Sequence, residues 1–144
     1  METSLHQLKT YLASRGLKST RQRDLIVETF LSIKDHIDIE TLYGKVKEKN
    51  PQVGYATVYR TMKLLKECGI AAERHFGTRH AVYEPHLPNK HHDHLICLKC
   101  QKIIEFKNEE IEMLQDKIAK RHGFSLTTHK HELYGLCMDC FSQS

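Results

Sequence analysis

Two Cys-x-x-Cys pairs, Cys97/Cys100 and Cys137/Cys140, bracket the C-terminal third of the 144-residue chain. Two intervening residues let both sulfurs of a pair reach one ion without strain. Two such pairs supply the four thiolates of a closed tetrahedral zinc site, a geometry used for structure rather than catalysis. Directly before the first pair lies His91-His92-Asp93-His94. These donors are surplus to the thiolate site and point to a second metal with a different task. Alternation along a strand sorts them: His92 and His94 share one face, His91 and Asp93 the other. Mixed nitrogen and oxygen donors suit iron(II), manganese, cobalt, nickel or zinc, and residue chemistry leaves that choice open.

The elements that must position these donors fall into two halves. Leu5, Leu8 and Leu12 recur at helical spacing before Gly16. Thr20 caps a second helix with Leu25, Ile26, Thr29, Phe30 and Ile33 inward, and Asp38 caps a third with Leu42, Tyr43 and Val46 inward. A fourth helix runs from near Gly54 to Cys68-Gly69. Residues 70–76 and 80–84 read as two strands joined around Gly77, with Arg74 and Arg79 as basic tips. Helices followed by a β-hairpin are the plan of a winged helix-turn-helix. Pro85-His-Leu-Pro88-Asn89 then reads as a hinge. Beyond it come a strand over 91–97, a return strand over 102–106, and a helix capped by Asn108 and ending at Gly123. A long strand over 124–136 completes the pattern. The expected fold class is α+β: a winged helix-turn-helix over 1–84, a hinge over 85–90, and a C-terminal α/β dimerisation domain over 91–144.

Charge agrees with that division. Residues 1–84 hold 14 Lys/Arg against 10 Asp/Glu, whereas residues 85–144 hold 8 against 8, so the whole net charge of +4 lies in the first half. A confined basic excess is what a polyanion partner requires. On the fourth helix Val58, Met62 and Leu65 face inward, while Ala56, Tyr59, Arg60 and Lys63 face out. That outer face combines close approach, a planar aromatic and an arginine able to fork onto guanine or grip phosphate. Lys18, Arg21 and Arg23 stand where they can hold backbone phosphates. The expected DNA-binding set is Lys18, Arg21, Arg23, Tyr55, Thr57, Tyr59, Arg60 and Lys63. No run approaches the roughly 18 apolar residues of a membrane span, and the first residues lack signal-peptide character. The expected setting is cytoplasmic, where Cys-x-x-Cys thiols serve as metal ligands rather than disulfides.

Gly16-Leu-Lys-Ser-Thr20, Ala56-Thr-Val-Tyr-Arg-Thr61, His91-His-Asp-His-Leu-Ile-Cys97, Lys102-Ile-Ile-Glu-Phe106 and Leu133-Tyr-Gly135 together resemble the ferric uptake regulator family of metal-dependent repressors. The likeness runs from about residue 5 to Cys140. It implies a regulatory metal on His36, Glu84, His92, His94 and Glu105, and an additional metal on His91, Asp93, Glu112 and His129. It also implies structural Zn(II) on Cys97, Cys100, Cys137 and Cys140, a homodimer or higher oligomer, and a double-stranded DNA operator. Glu105 stands where peroxide-sensing members typically present aspartate. The resemblance therefore leans to iron(II) as the regulatory ion, with manganese, cobalt or zinc able to substitute. Peroxide-, zinc- and manganese-sensing regulators are the alternatives within the family. A zinc hydrolase is disfavoured because four thiolates leave no open coordination position and no His-Glu-x-x-His occurs. A metal-trafficking protein would have no use for Tyr59, Arg60 and a wing. Cys68 and His6, His75, His80, His86, His122 and His131 are read as ordinary residues.

Overall fold

The computed structural model describes residues 2–77, 80–86 and 93–143, apart from the side chain of Glu2. The chain divides into two compact units, Met1–Leu87 and Pro88–Ser144. The expected hinge falls largely on residues 87–90, and these, with His91 and His92, lie outside the described residues.

The first unit carries four helices, α1 (Glu2–Ser14), α2 (Arg21–Ser32), α3 (Ile39–Lys49) and α4 (Tyr55–Glu67), then strands β1 (Ala71–Arg74) and β2 (Val82–Pro85). Side chains start two of the helices. Thr20 accepts the Arg23 amide at 3.1 Å, and Asp38 accepts the Thr41 amide at 2.7 Å. α1 ends where Gly16 turns left-handed at φ 70°, while the Leu17 amide reaches back to the Leu12 carbonyl at 2.8 Å. The apolar faces of the helices meet in one core. Leu8, Leu12, Ile26, Val27, Phe30, Leu42, Val46, Val58, Met62 and Leu65 are all buried there. Val27 belongs to this core, whereas Ile33 lies past the helix as its extended C-cap. The helices and the antiparallel β1–β2 hairpin make a winged helix-turn-helix.

Three details of the hairpin differ from expectation. The strands cover only Ala71–Arg74 and Val82–Pro85, and Pro85 ends β2 rather than opening the linker. Arg74 is no free basic tip: its Nε donates to Glu84 Oε1 at 3.0 Å, and Arg79 lies outside the described residues. A bridge from Ile37 to Tyr83 ties the segment before α3 to the wing.

The second unit is built on β3 (Asp93–Cys97), β4 (Ile103–Phe106), α5 (Glu109–Arg121), β5 (Glu132–Gly135) and a short α6 (Met138–Phe141). The sheet order is β4-β3-β5, with β4 antiparallel and β5 parallel to the central β3. Asn108 caps α5 by accepting the Ile111 amide, and Glu109, Glu110 and Glu112 occupy its positive end. The long strand expected over 124–136 is four residues, Glu132–Gly135. A strand persists only where a neighbour completes its ladder, and β3 offers pairing from His94 to Cys97 alone.

Candidate metal centres and nucleic-acid face

The parallel pairing of β3 with β5 sets Cys97 beside Gly135, so both cysteine turns emerge at one end of the sheet. The first turn closes tightly. The Gln101 amide donates to the Cys97 carbonyl at 3.0 Å, and Gln101 is held left-handed at φ 68°, a rare conformation for a residue with a side chain. Leu98 N–H donates to the Gly135 carbonyl at 2.8 Å and links the two turns. Cys137 caps α6, which carries Cys140. The four sulfurs lie within 4.8 Å of one another, and Cys100 Sγ is 3.7 Å from Cys137 Sγ. Sulfurs about 2.3 Å from a tetrahedral zinc stand roughly 3.75 Å apart. The spacing fits that ion and no disulfide, since all five cysteines are free thiols.

Electrostatics within the cluster point the same way. The Cys137 amide donates to Cys97 Sγ at 3.4 Å, and with the Cys100 amide it pulls the Cys97 thiol down to about 5. Burial, then the neighbouring thiols, push Cys140 up to about 12. One sulfur ionises readily because amides point at it, while another resists because it is buried among neighbouring thiols. A dication removes that conflict.

β3 presents its two remaining donors to opposite faces. On one, Asp93, Glu112 and His129 each bring a ligand atom within 4.8 Å of the others, and His129 Nε2 lies 3.5 Å from Asp93 Oδ1. Asp93 is only 1% exposed. A carboxylate that deeply buried requires compensating positive charge, and two carboxylates with an imidazole suit a borderline or hard dication. His91, the fourth member implied for this site, lies outside the described residues. On the other face His94 stands directly opposite Glu105 in the β3–β4 register. Paired residues of neighbouring strands share a face, so these two donors converge. His92 lies outside the described residues.

In the first unit His36 Nε2 lies 2.8 Å from Glu84 Oε2, and both side chains are buried. Phe76 packs edge-on against the His36 ring at 5.8 Å. The second Glu84 oxygen takes the Arg74 bond described above, so one buried carboxylate is gripped from two sides. Each unit thus brings one histidine and one glutamate of the implied regulatory set together within itself.

The outer side of α4 carries Tyr55 and Tyr59, both about half exposed, with Arg60 and Lys63 exposed beside them. Tyr55 is braced by Tyr43, edge to face at 5.6 Å. A polar cleft lined by Thr20, Arg21, Gln22, Arg23, Thr57, Arg60 and Thr61 joins the start of α2 to α4. Arg23 Nη1 donates to the Lys18 carbonyl at 2.7 Å, which turns this arginine toward its own loop. Of the expected DNA-facing residues, Arg21, Arg23, Thr57 and Arg60 line this one cleft.

Two arrangements were not legible in the sequence. One is the Arg74 grip on Glu84. The other is His131, whose Nδ1 lies 3.7 Å from Asp93 Oδ2. The two-residue spacing of His129 and His131 was the signal available, since alternate residues of an extended chain share a face.

A winged helix beside a sheet-borne thiolate cluster and further histidine–carboxylate groups defines a metal-responsive DNA-binding regulator. The family model for the ferric uptake regulator family matches residues 14–134. The chain belongs to that family, and its members are regulators of transcription rather than enzymes. It is 46% identical over 142 residues to the ferric uptake regulation protein of Campylobacter jejuni, covering 96% of this chain and 89% of that one. Among solved structures it is similar to the Helicobacter pylori ferric uptake regulator, described as having three functional metal-binding sites. That match has a TM-score of 0.90 at 28% identity, covering 97% and 93% of the two chains. A zinc-bound manganese uptake regulator matches with a TM-score of 0.75 at 41% identity, covering 92% and 99%. Among the described residues no helix is long and apolar enough to cross a membrane.

Proposed function

We propose that this chain is a cytoplasmic, homodimeric repressor that binds double-stranded operator DNA when iron(II) is plentiful and shuts off iron-uptake genes. The observation that carries this reading is the split donor set: His36 with Glu84 in the first unit, His94 with Glu105 in the second. An ion taking ligands from both sets, together with His92, holds the two units at one angle. In a dimer that angle sets two α4 helices about 34 Å apart, one turn of B-DNA. The ion supplies only a preference for that arrangement. Tyr55, Thr57, Tyr59, Arg60 and Lys63 meet the DNA, with Lys18, Arg21 and Arg23 on backbone phosphates. Structural zinc on Cys97, Cys100, Cys137 and Cys140 holds the second unit together. Asp93, Glu112 and His129, with His91, hold the additional ion.

The homodimer is supported by unpartnered apolar surface. Leu95, Ile104 and Leu133 lie exposed on one face of the sheet. α5 exposes Met113, Leu114 and Ile118, and none of its residues is fully buried. A second copy of the chain gives that surface an apolar partner.

The test compares duplex binding by the wild type and a His92→Ala/His94→Ala variant, without oxygen, with and without iron(II). The duplexes are genomic fragments selected by the metal-loaded wild type. The wild type gains about 5–150-fold in affinity with metal, a coupling of about 1–3 kcal/mol, and the variant gains nothing. Tight metal-independent binding by the variant defeats the proposal. Manganese sensing is the second reading, favoured by the 41% identity to a manganese uptake regulator. The same titration with manganese(II) separates it from iron sensing by which ion acts at the lower free concentration.

A further inference from the structure

The wing holds Glu84 asymmetrically. In the β1–β2 register Ala72 stands opposite Glu84 and Arg74 opposite Val82, so Arg74 and Glu84 are diagonal neighbours on one face of the hairpin. Arg74 Nε donates to Glu84 Oε1 at 3.0 Å, a charge-assisted bond to one oxygen of the carboxylate. The other oxygen, Oε2, lies 2.8 Å from His36 Nε2. That spacing is close to the roughly 3.0 Å between neighbouring donors of an octahedral ion about 2.1 Å from each. The chain beside His36 is fixed: the Ile37 amide donates to the Tyr83 carbonyl at 3.0 Å, and the Tyr83 amide to the Ile37 carbonyl at 2.8 Å. Glu84 is only 6% exposed, so its carboxylate has no room to turn out into solvent. An ion drawn equally to both oxygens would have to approach the guanidinium, whose charge repels it.

We propose that Arg74 is a positioning residue of the regulatory metal site, pinning Glu84 Oε1 so that the carboxylate meets an ion through Oε2 alone. This rests on the reading that His36 and Glu84 serve the regulatory ion. Arg74 is not among the residues that the family pattern implies for that site. Its bond also bears on which ion is preferred. Carboxylates that bind through both oxygens suit large, hard ions, and oxygen-rich sites suit manganese. Holding Glu84 to one oxygen shifts the balance from manganese toward ions that favour imidazole, such as iron(II) and cobalt.

The experiment has two arms, both on the full chain with zinc at its cysteines. In the first, the wild type is labelled with 15N-arginine and 15N-histidine and titrated with further Zn(II). The Arg74 Nε–H signal is assigned by its absence from Arg74→Gln. As His36 Nε2 shifts to its metal-bound value, Arg74 Nε–H should stay slow to exchange with solvent. Fast exchange on loading overturns the inference, because the ion would then have taken the arginine's oxygen. This arm needs no folded variant. In the second, duplex binding by wild type and Arg74→Gln is titrated with Mn(II) and with Co(II). The ratio of the two half-effective concentrations should move at least about fivefold toward manganese in the variant, within the range that residues behind a metal ligand command. Changes in DNA contact or in wing packing act on both ions alike and cancel in that ratio. A ratio within about twofold of wild type overturns the inference and leaves the reading of the site intact. If His36 does not respond to zinc in the wild type, that reading falls, and the inference with it.

Discussion

The two units solve the problem of stability in opposite ways. The first buries a continuous apolar core in which Ile26, Val27, Phe30, Val46, Val58, Met62 and Leu65 are wholly inaccessible. The second has no comparable interior. Among the described residues its buried apolar side chains are Ile96, Cys97 and Cys140, and two of those three are thiols of the four-cysteine cluster. A unit of under 60 residues with so small a core is marginal by itself, and on the proposed reading a metal and a second copy take the place of that core. The contrast also divides the labour. On the proposed reading, the unit with its own core carries the DNA-reading face and the unit with little core carries the ligands.

Removing zinc should break the contrast most severely. A structural zinc contributes on the order of 10–16 kcal/mol to small metal-dependent domains. Stripping it with a chelator, or substituting Cys97→Ser with Cys100→Ser, should unfold the second unit and leave the first folded. Backbone amide NMR would report dispersed signals for residues of α1–α4 and collapsed ones for β3–β5. Loss of both sets together would show that the first unit is not independent.

A charge on the bare face of α5 should act next. Ile118→Glu should weaken self-association at least tenfold, about 1.4 kcal/mol or more, as read by sedimentation. The helical signal of the first unit and its urea midpoint should hold. Unchanged association would mean that the copies meet elsewhere.

The smallest effect belongs to the wing. Glu73 accepts from Lys66 at 2.8 Å and contacts His75 at 2.6 Å. The lysine, then the histidine, hold its carboxyl below the ordinary 4.5, although burial opposes them. A carboxylate whose value is depressed by folding stabilises above its unfolded value, and that contribution is lost as pH falls through the folded one. Lys66 is half exposed, so solvent screens the pair. Glu73→Gln should cost under about 1 kcal/mol at pH 7. In urea titrations the gap between variant and parent should close as the pH drops below 4.5. A gap that stays constant with pH would assign the loss to packing rather than charge.

Much of the site was legible because it is written locally. Two residues between thiols, a threonine or aspartate three residues before an amide, and consecutive donors on an extended stretch each depend on neighbours in sequence. Thr20, Asp38 and Asn108 cap their helices as expected. The four cysteines gather, and Asp93 meets Glu112 and His129 as the family resemblance implied. What escaped were pairings across long stretches of chain. Arg74 reads as a free basic tip until β1 pairs with β2 and sets Glu84 within reach. His131 reads as an ordinary histidine until β5 lies parallel to β3.

The sequence by itself determined which residues can ligate, where most helices begin and stop, and which half carries the positive charge. These follow from covalent spacing and from side-chain bonds to nearby amides. Only the tertiary structure decided that both cysteine turns share one sheet end, that the last strand shrinks to four residues, and which carboxylate each histidine faces. Strand register is a long-range choice, made by ladder hydrogen bonds and buried faces far apart in the chain, and no local pattern encodes it.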